Sequence, residues 1–344
     1  MIFSNVIEKK DTIEIVESKF ISWNYFKNST ILVTGATGLI GSQIVKSLLY
    51  AKEVLGLGIK IIALIRNQDK ANKIFGNNQN ITYIVQDVTK QLNCNDNIDY
   101  IIHTANGTAS KTFVENPVET IDSIVTGTKN ILEFAKFKNI KSLVYLSSME
   151  VYGQTSFEKK EALKESDYGY LDILQSRSSY PEGKRLAEAL CGAYANEYKL
   201  PVKIARLVQT IGAGVDINDN RVFVQFAKSI VNKEDITLHT TGESSRSYCY
   251  ITDAITAIFK ILESGKNGTC YNVANEKTNA SIKDMAKMLC DKYNLSLKFE
   301  LNDSYYPPAS KLLVDTKLLQ ELGWEAKIEL EEMYNRLIAK FSNN

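Results

Sequence analysis

The sequence predicts an α/β fold, a doubly wound parallel sheet with a smaller lobe formed mainly by the C-terminal part of the chain. Three observations carry this expectation. Short apolar runs alternate with longer amphipathic stretches, the rhythm of strand–helix–strand crossovers. The runs are apolar almost throughout rather than at alternate positions, so both faces of the sheet are covered. A glycine-rich turn joins the first run to the stretch that follows it.

In chain order, residues 1–28 read as an extension packed beside the first strand. They mix Glu, Lys and Asp with short apolar groups, unlike a signal peptide. Residues 29–207 read as a dinucleotide-binding domain. Its strands are Thr30–Thr34, Lys60–Ile65, Ile81–Val85, Tyr100–His103, Ser142–Leu146 and Val202–Leu207, with helical stretches at Val118–Lys136 and Pro181–Tyr198. Beyond residue 207 the rhythm loosens, and Gly212, Gly214, Gly242, Asp216 and Asn218 mark loops. Residues 208–344 are expected to form the smaller substrate-binding lobe, interleaved with the end of the sheet, with a helix at Ser281–Tyr293.

After the first strand, Thr34-Gly35-Ala36-Thr37-Gly38-Leu39-Ile40-Gly41 spaces its glycines as GxxGxxG. Gly35 permits the tight turn, Gly38 lets backbone approach a pyrophosphate, and Gly41 allows close helix–strand packing. The unpaired N–H groups of the helix that opens here, next to Thr37, Leu39 and Ile40, face the anion. The second strand ends at Arg66 with no acid to bind the ribose 2′-hydroxyl of NAD. Such an arginine suits the 2′-phosphate of NADP. The cofactor expectation is therefore NAD or NADP, leaning to NADP.

Tyr180-Pro181-Glu182-Gly183-Lys184 is a YxxxK pattern at the start of a helical stretch. One helical turn puts both side chains on a common face. A free tyrosine is too weak an acid for proton transfer near neutrality, and a nearby ammonium favours its phenolate. The pair can then move a proton while hydride moves. Ser148, at the C-terminal end of a parallel strand where ligands bind, can hydrogen-bond the reacting hydroxyl and the tyrosine. Glu150 follows, as a base or a substrate-binding group.

The glycine spacing resembles the short-chain dehydrogenase/reductase superfamily and its Rossmann-type fold. SSMEVYG, YPEGKRLAE and RSYCYITDA together resemble its extended branch, the nucleotide-sugar epimerase/dehydratase family. RSSYPEGKRLAEALC, DNRVFVQFAKSI and RSYCYITD look closest to UDP-glucuronate decarboxylases, with LGW at Leu322–Trp324 a late match. The resemblance spans about residues 30 to 325. It implies that Ser148, Tyr180 and Lys184 form the catalytic triad. It implies that Asp87, with Val88, meets the adenine, and that Thr104 and Ala105 in the HTAN turn lie against the cofactor. On the substrate side it implies Met149, Gln209, Arg221, Arg246 and Lys311, with Arg246 on the diphosphate. Three positions depart from the pattern: Met149 stands where dehydratases carry an acid, and a thioether donates no proton; Gln209 stands where relatives commonly have Asn; and the Arg66 region departs from the NAD-type pattern expected of an epimerase or decarboxylase. Relatives often dimerise through a four-helix bundle, so a homodimer is expected.

Lys+Arg 41 against Asp+Glu 40 gives a net charge of +1, which offers no field for nucleic acid or an acidic membrane. The five cysteines form no CxxC pair and His is scarce, so no metal site is expected. Unpaired thiols suit the cytoplasm, and no stretch approaches the ~20 apolar residues of a membrane helix. The reaction expected is hydride transfer at C4 of a nucleotide-diphosphate sugar, first a 4-epimerase. Decarboxylation of a nucleotide-linked uronic acid, NADP-dependent 4-keto-sugar reduction and a non-catalytic nucleotide sensor are the alternatives.

Overall fold

The computed structural model describes residues 3, 5–107, 110–155, 162–301 and 309–342. Seven parallel strands form the main sheet: β1 (Thr30–Thr34), β2 (Lys60–Ile65), β3 (Ile81–Val85), β4 (Tyr100–His103), β5 (Ser142–Ser148), β6 (Val202–Leu207) and, in spatial rather than chain sequence, β10 (Cys270–Val273). Their order is β3-β2-β1-β4-β5-β6-β10. The chain reverses its direction of travel between β1 and β4, and this switch point is where open α/β sheets bind ligands.

Strand periodicity explains why the runs are apolar throughout. On β1, Ile31 and Val33 enter one core while Leu32 enters the other. On β5, Val144 and Leu146 face the first core, and Leu143 and Tyr145 the second. Successive side chains on a strand point to opposite faces, so a strand covered twice needs apolar residues at nearly every position. Helices α2 (Leu39–Leu55) and α8 (Ile251–Ser264) cover the first face. Helices α5 (Pro117–Lys138) and α6 (Ser179–Glu197) cover the second and pack on each other.

The remaining described elements are α1 (Val6–Val16), α3 (Gln68–Phe75), α4 (Ser110–Glu115), β7 (Gln209–Ile211), α7 (Val222–Asn232), β8 (Ile236–Leu238), β9 (Ser245–Tyr250), β11 (Asn275–Ser281), α9 (Ile282–Tyr293), β12 (Leu297–Phe299), β13 (Lys311–Leu312), α10 (Lys317–Glu321) and α11 (Leu330–Ser342). β9 is flanked by β7, β11 and β13, and β8 pairs with β12. The helix α8 and strand β10 return from this region to the main sheet.

The N-terminal extension differs from its expected placement. Its helix α1 packs mainly on α2, α8 and α11 rather than beside β1. Buried charges explain this. Glu8 pairs with Lys46 of α2 at 2.5 Å, and Asp11 pairs with Arg336 of α11 at 2.8 Å. The Tyr250 hydroxyl, at the end of β9, donates to Asp11 at 2.8 Å. Among the described residues no helix is long and apolar enough to cross a membrane, and no cluster of His, Cys, Asp and Glu is suited to a metal.

Candidate active site

Two cavities adjoin at the switch point and share Gly38, Thr104, Asn106 and Phe113 in their walls. The larger, about 450 Å3, runs from the glycine turn past Arg66 to Asp87, Val88 and Ala105. The smaller, about 230 Å3, runs from Leu39, Ile40 and Gly41 to Ser148, Met149, Glu150, Tyr180, Lys184, Gln209 and Arg221.

The glycine turn is built for close approach. Gly35 has φ +62°, and a Cβ there would lie 2.7 Å from the Ala105 backbone. A Cβ on Gly41 would lie 2.3 Å from the Gly35 carbonyl oxygen. Gly38 caps α2 with no side-chain hydrogen bond, which leaves the first-turn N–H groups of the helix to an anion. Asn106, where the two cavities meet, has both amide atoms buried and unpartnered among the described residues. Buried polar groups are rarely left so. The turn, the helix end and this amide fit a dinucleotide. At the far end of the larger cavity Asp87 accepts bonds from Thr89 N and Oγ1 at 2.9 and 2.8 Å, which hold its carboxyl below the usual range. Arg66 is exposed and 4.0 Å from Asp87.

In the smaller cavity, β5 and α6 bring the candidate catalytic side chains together. Ser148 closes β5 and caps the turn Met149–Tyr152, accepting from Glu150 N at 3.3 Å. Tyr180 and Lys184 lie on successive turns at the start of α6, with the Lys184 nitrogen 5.8 Å from the Tyr180 ring centre. Both are buried. Lys184 donates to the Leu146 carbonyl at 2.6 Å, which ties α6 to β5.

The electrostatics differ from the expected picture of an ammonium acidifying a phenol. Burial pushes the Tyr180 phenol up to about 12. A hydrogen bond from Ser148 pulls it down, the Glu150 charge pushes it up and the Arg177 charge pulls it down. Burial also pushes Lys184 down to about 7, against the pull of Glu188. Desolvation penalises each charged form, so the lysine holds its proton too weakly to dominate its neighbour. Without further positive charge, the chain keeps this phenol protonated at neutral pH.

Several side chains of the site escaped the sequence reading. Phe113 of α4 stacks on Tyr180, centres 4.2 Å apart and planes 12° apart. Arg177 binds Glu150 at 3.0 Å. Arg185 donates to the Val151 and Gly169 carbonyls at 2.7 and 2.8 Å, fixing the turn after β5 against α6. Both arginines flank the YxxxK pattern within RSSYPEGKR, a signal that was present but had no assigned partner. Phe113 and Asn106 had no such signal. Of the substrate-side residues, Met149, Gln209 and Arg221 line the smaller cavity. Arg221 is already held by Asp219 through contacts of 2.6 to 3.0 Å. Arg246 and Lys311 sit on the adjacent strands β9 and β13, outside the walls of both cavities. His103 is structural: it is fully buried between Thr34 and Thr128, and burial pushes it down to about 3.

Comparison with known proteins accords with this geometry. A sequence profile of the NAD dependent epimerase/dehydratase family matches residues 31–274. The chain belongs to this family. Among curated relatives, UDP-glucuronic acid decarboxylase 6 of Arabidopsis thaliana is 31% identical over 310 residues, covering 89% of this chain and 86% of that protein. UDP-glucuronic acid decarboxylase 1 of Xenopus tropicalis is 27% identical over 337 residues, 97% of this chain and 77% of that one. Solved structures share the fold. The UDP-glucose 4-epimerase of Thermotoga maritima, with UDP-glucose, has a TM-score of 0.77 at 21% identity, over 91% of this chain and 99% of that chain. The NAD-bound dTDP-glucose 4,6-dehydratase of Streptomyces venezuelae has a TM-score of 0.75 at 19% identity, over 92% and 97%. This family member is thus an enzyme of the extended short-chain dehydrogenase type, with a Rossmann-type sheet.

Proposed function

We propose that this enzyme oxidises C4 of a nucleotide-linked sugar and then reduces the same carbon, as a 4-epimerase. The carrying observation is the convergence of Ser148, Tyr180 and Lys184 in one cleft, continuous with the glycine-turn cavity. The glycine turn, the start of α2 and Asn106 would hold the dinucleotide, which would supply a reversible hydride acceptor and a positive charge. Tyr180 takes the C4 hydroxyl proton as the hydride leaves and gives it back on return. Ser148 holds the hydroxyl oxygen. Lys184 orients the cluster through the Leu146 carbonyl. Arg246 on β9 is the group proposed to bind the substrate diphosphate once it bridges from the cleft; Lys311 of β13 is in register with Ser245, not Arg246, so its side chain leaves from the opposite face.

Decarboxylation of a nucleotide-linked uronic acid is the second reading, favoured by the curated relatives. The same C4 ketone places a carbonyl β to the C6 carboxylate, so carbon dioxide can leave before reduction. Glu150, retained beside Ser148, is available to bind that substrate. Incubation with UDP-, dTDP-, CDP- and GDP-linked hexoses and hexuronic acids, read by mass and NMR, separates these readings. An isomer of unchanged mass supports epimerisation, and loss of carbon dioxide supports decarboxylation. Absence of turnover across the panel contradicts both.

Two further assignments belong to this reading. Arg66 and Lys70 at the adenine end favour the 2′-phosphate of NADP. Release of NAD alone from freshly denatured protein would overturn that. The paired helices α5 and α6 leave Val118, Ile121 and Leu186 exposed, and a second copy covers them in the homodimer. A monomer by light scattering would contradict this.

A further inference from the structure

Arg177 stands just before α6, in the turn Ser176–Ser178. It does not line the cleft. Its Nη2 binds the Glu150 carboxylate at 3.0 Å, and its guanidinium lies 5.1 Å from the centre of the Phe113 ring. Phe113 in turn stacks on Tyr180. Arginine, aromatic ring and phenol thus form a run of contacts, with the glutamate bound to the arginine. Nη1 is buried and unpartnered among the described residues. An arginine serving only as a clamp would fill its donors. This one leaves Nη1 without a partner among the described residues while its guanidinium stands beside Phe113.

We propose that Arg177 is a positioning residue for Tyr180: it offsets the charge of Glu150 and seats the phenol through Phe113. This deepens the function proposed above and rests on the assignment of Tyr180 as the proton carrier. The physical reason is local. Glu150 lies close enough for its charge to oppose phenolate formation, and Arg177 lies close enough to favour it. The two act in opposite directions, so Arg177 offsets part of the charge that Glu150 places beside the phenol. Lysine would keep the charge but not the guanidinium's contact with Phe113.

The test needs no substrate. Tyrosines are replaced biosynthetically by meta-fluorotyrosine, and the Tyr180 fluorine resonance is identified by its loss in Tyr180→Phe. Its ionisation midpoint is then titrated in the otherwise unmodified full-length chain and in variants. Arg177→Gln should raise the midpoint by at least about half a unit. Arg177→Lys should raise it less, and adding Glu150→Gln to Arg177→Gln should bring it back down. Glu150→Gln alone should lower it, which keeps the proposal testable if Arg177→Gln fails to fold. An unchanged midpoint in Arg177→Gln, or in Glu150→Gln alone, overturns the proposal. Failure of the functional reading shows separately, as full turnover by Tyr180→Phe.

Discussion

Lys184 illustrates how a single residue trades stability for chemistry. It is buried, and its proton is held at about 7 rather than at the usual lysine value. Between the folded and unfolded values, the unfolded chain binds the extra proton, so stability rises with pH through that window. Relative to Lys184→Met, the unmodified protein should gain stability as pH increases from about 7 to about 10. Urea midpoints for both proteins across that range check this. A constant difference would mean that the amine is not desolvated in the folded state. Tyr180→Phe, by contrast, should leave stability near that of the parent and cut turnover at least ~10²-fold, measured with whichever nucleotide sugar the panel identifies.

At the scale of elements, the site depends on how β5, β6 and α6 are joined. Arg206 of β6 is fully buried and binds Glu188 of α6 through contacts of 2.6 and 2.9 Å. It also donates to the Tyr152 hydroxyl at 3.2 Å and the Glu165 carbonyl at 2.7 Å. Glu188 lies one turn beyond Lys184 on α6, so this knot sits directly behind the reactive groups. Arg206→Met strands a buried carboxylate and should cost about 3–5 kcal/mol, read by denaturant unfolding. A loss below about 1 kcal/mol would show that Glu188 finds another partner. The elements themselves were legible because both cores impose apolar residues on the strands, and because GxxGxxG and YxxxK mark α2 and α6 at their starts. The partners of Glu150 and Tyr180 were not. Arg177 lies near Tyr180 in sequence but reaches back to β5's turn, and Phe113 arrives from α4, which carries no motif. Such contacts are set by tertiary packing, which leaves no periodic trace in one sequence.

For the whole molecule, the N-terminal helix is a clasp. It joins α2, beside the glycine turn, to α11 and the end of β9, whose far end carries Arg246. Arg336 also binds Glu14 and Glu332, at 2.7 and 2.8 Å. Nothing in the extension's composition announced this, because its acids pair with bases that follow much later in the chain. Arg336→Met leaves Asp11 buried without its cation and should cost about 3–5 kcal/mol. A calorimetric melting temperature equal to the parent's would show that the clasp carries no load. The most direct measurement of the function is turnover of the identified nucleotide sugar bearing deuterium at C4. A primary isotope effect, with the label still on C4 of the product, is the predicted result. A label lost to solvent, or found on another carbon of the product, would mean that hydride does not leave and return at this carbon.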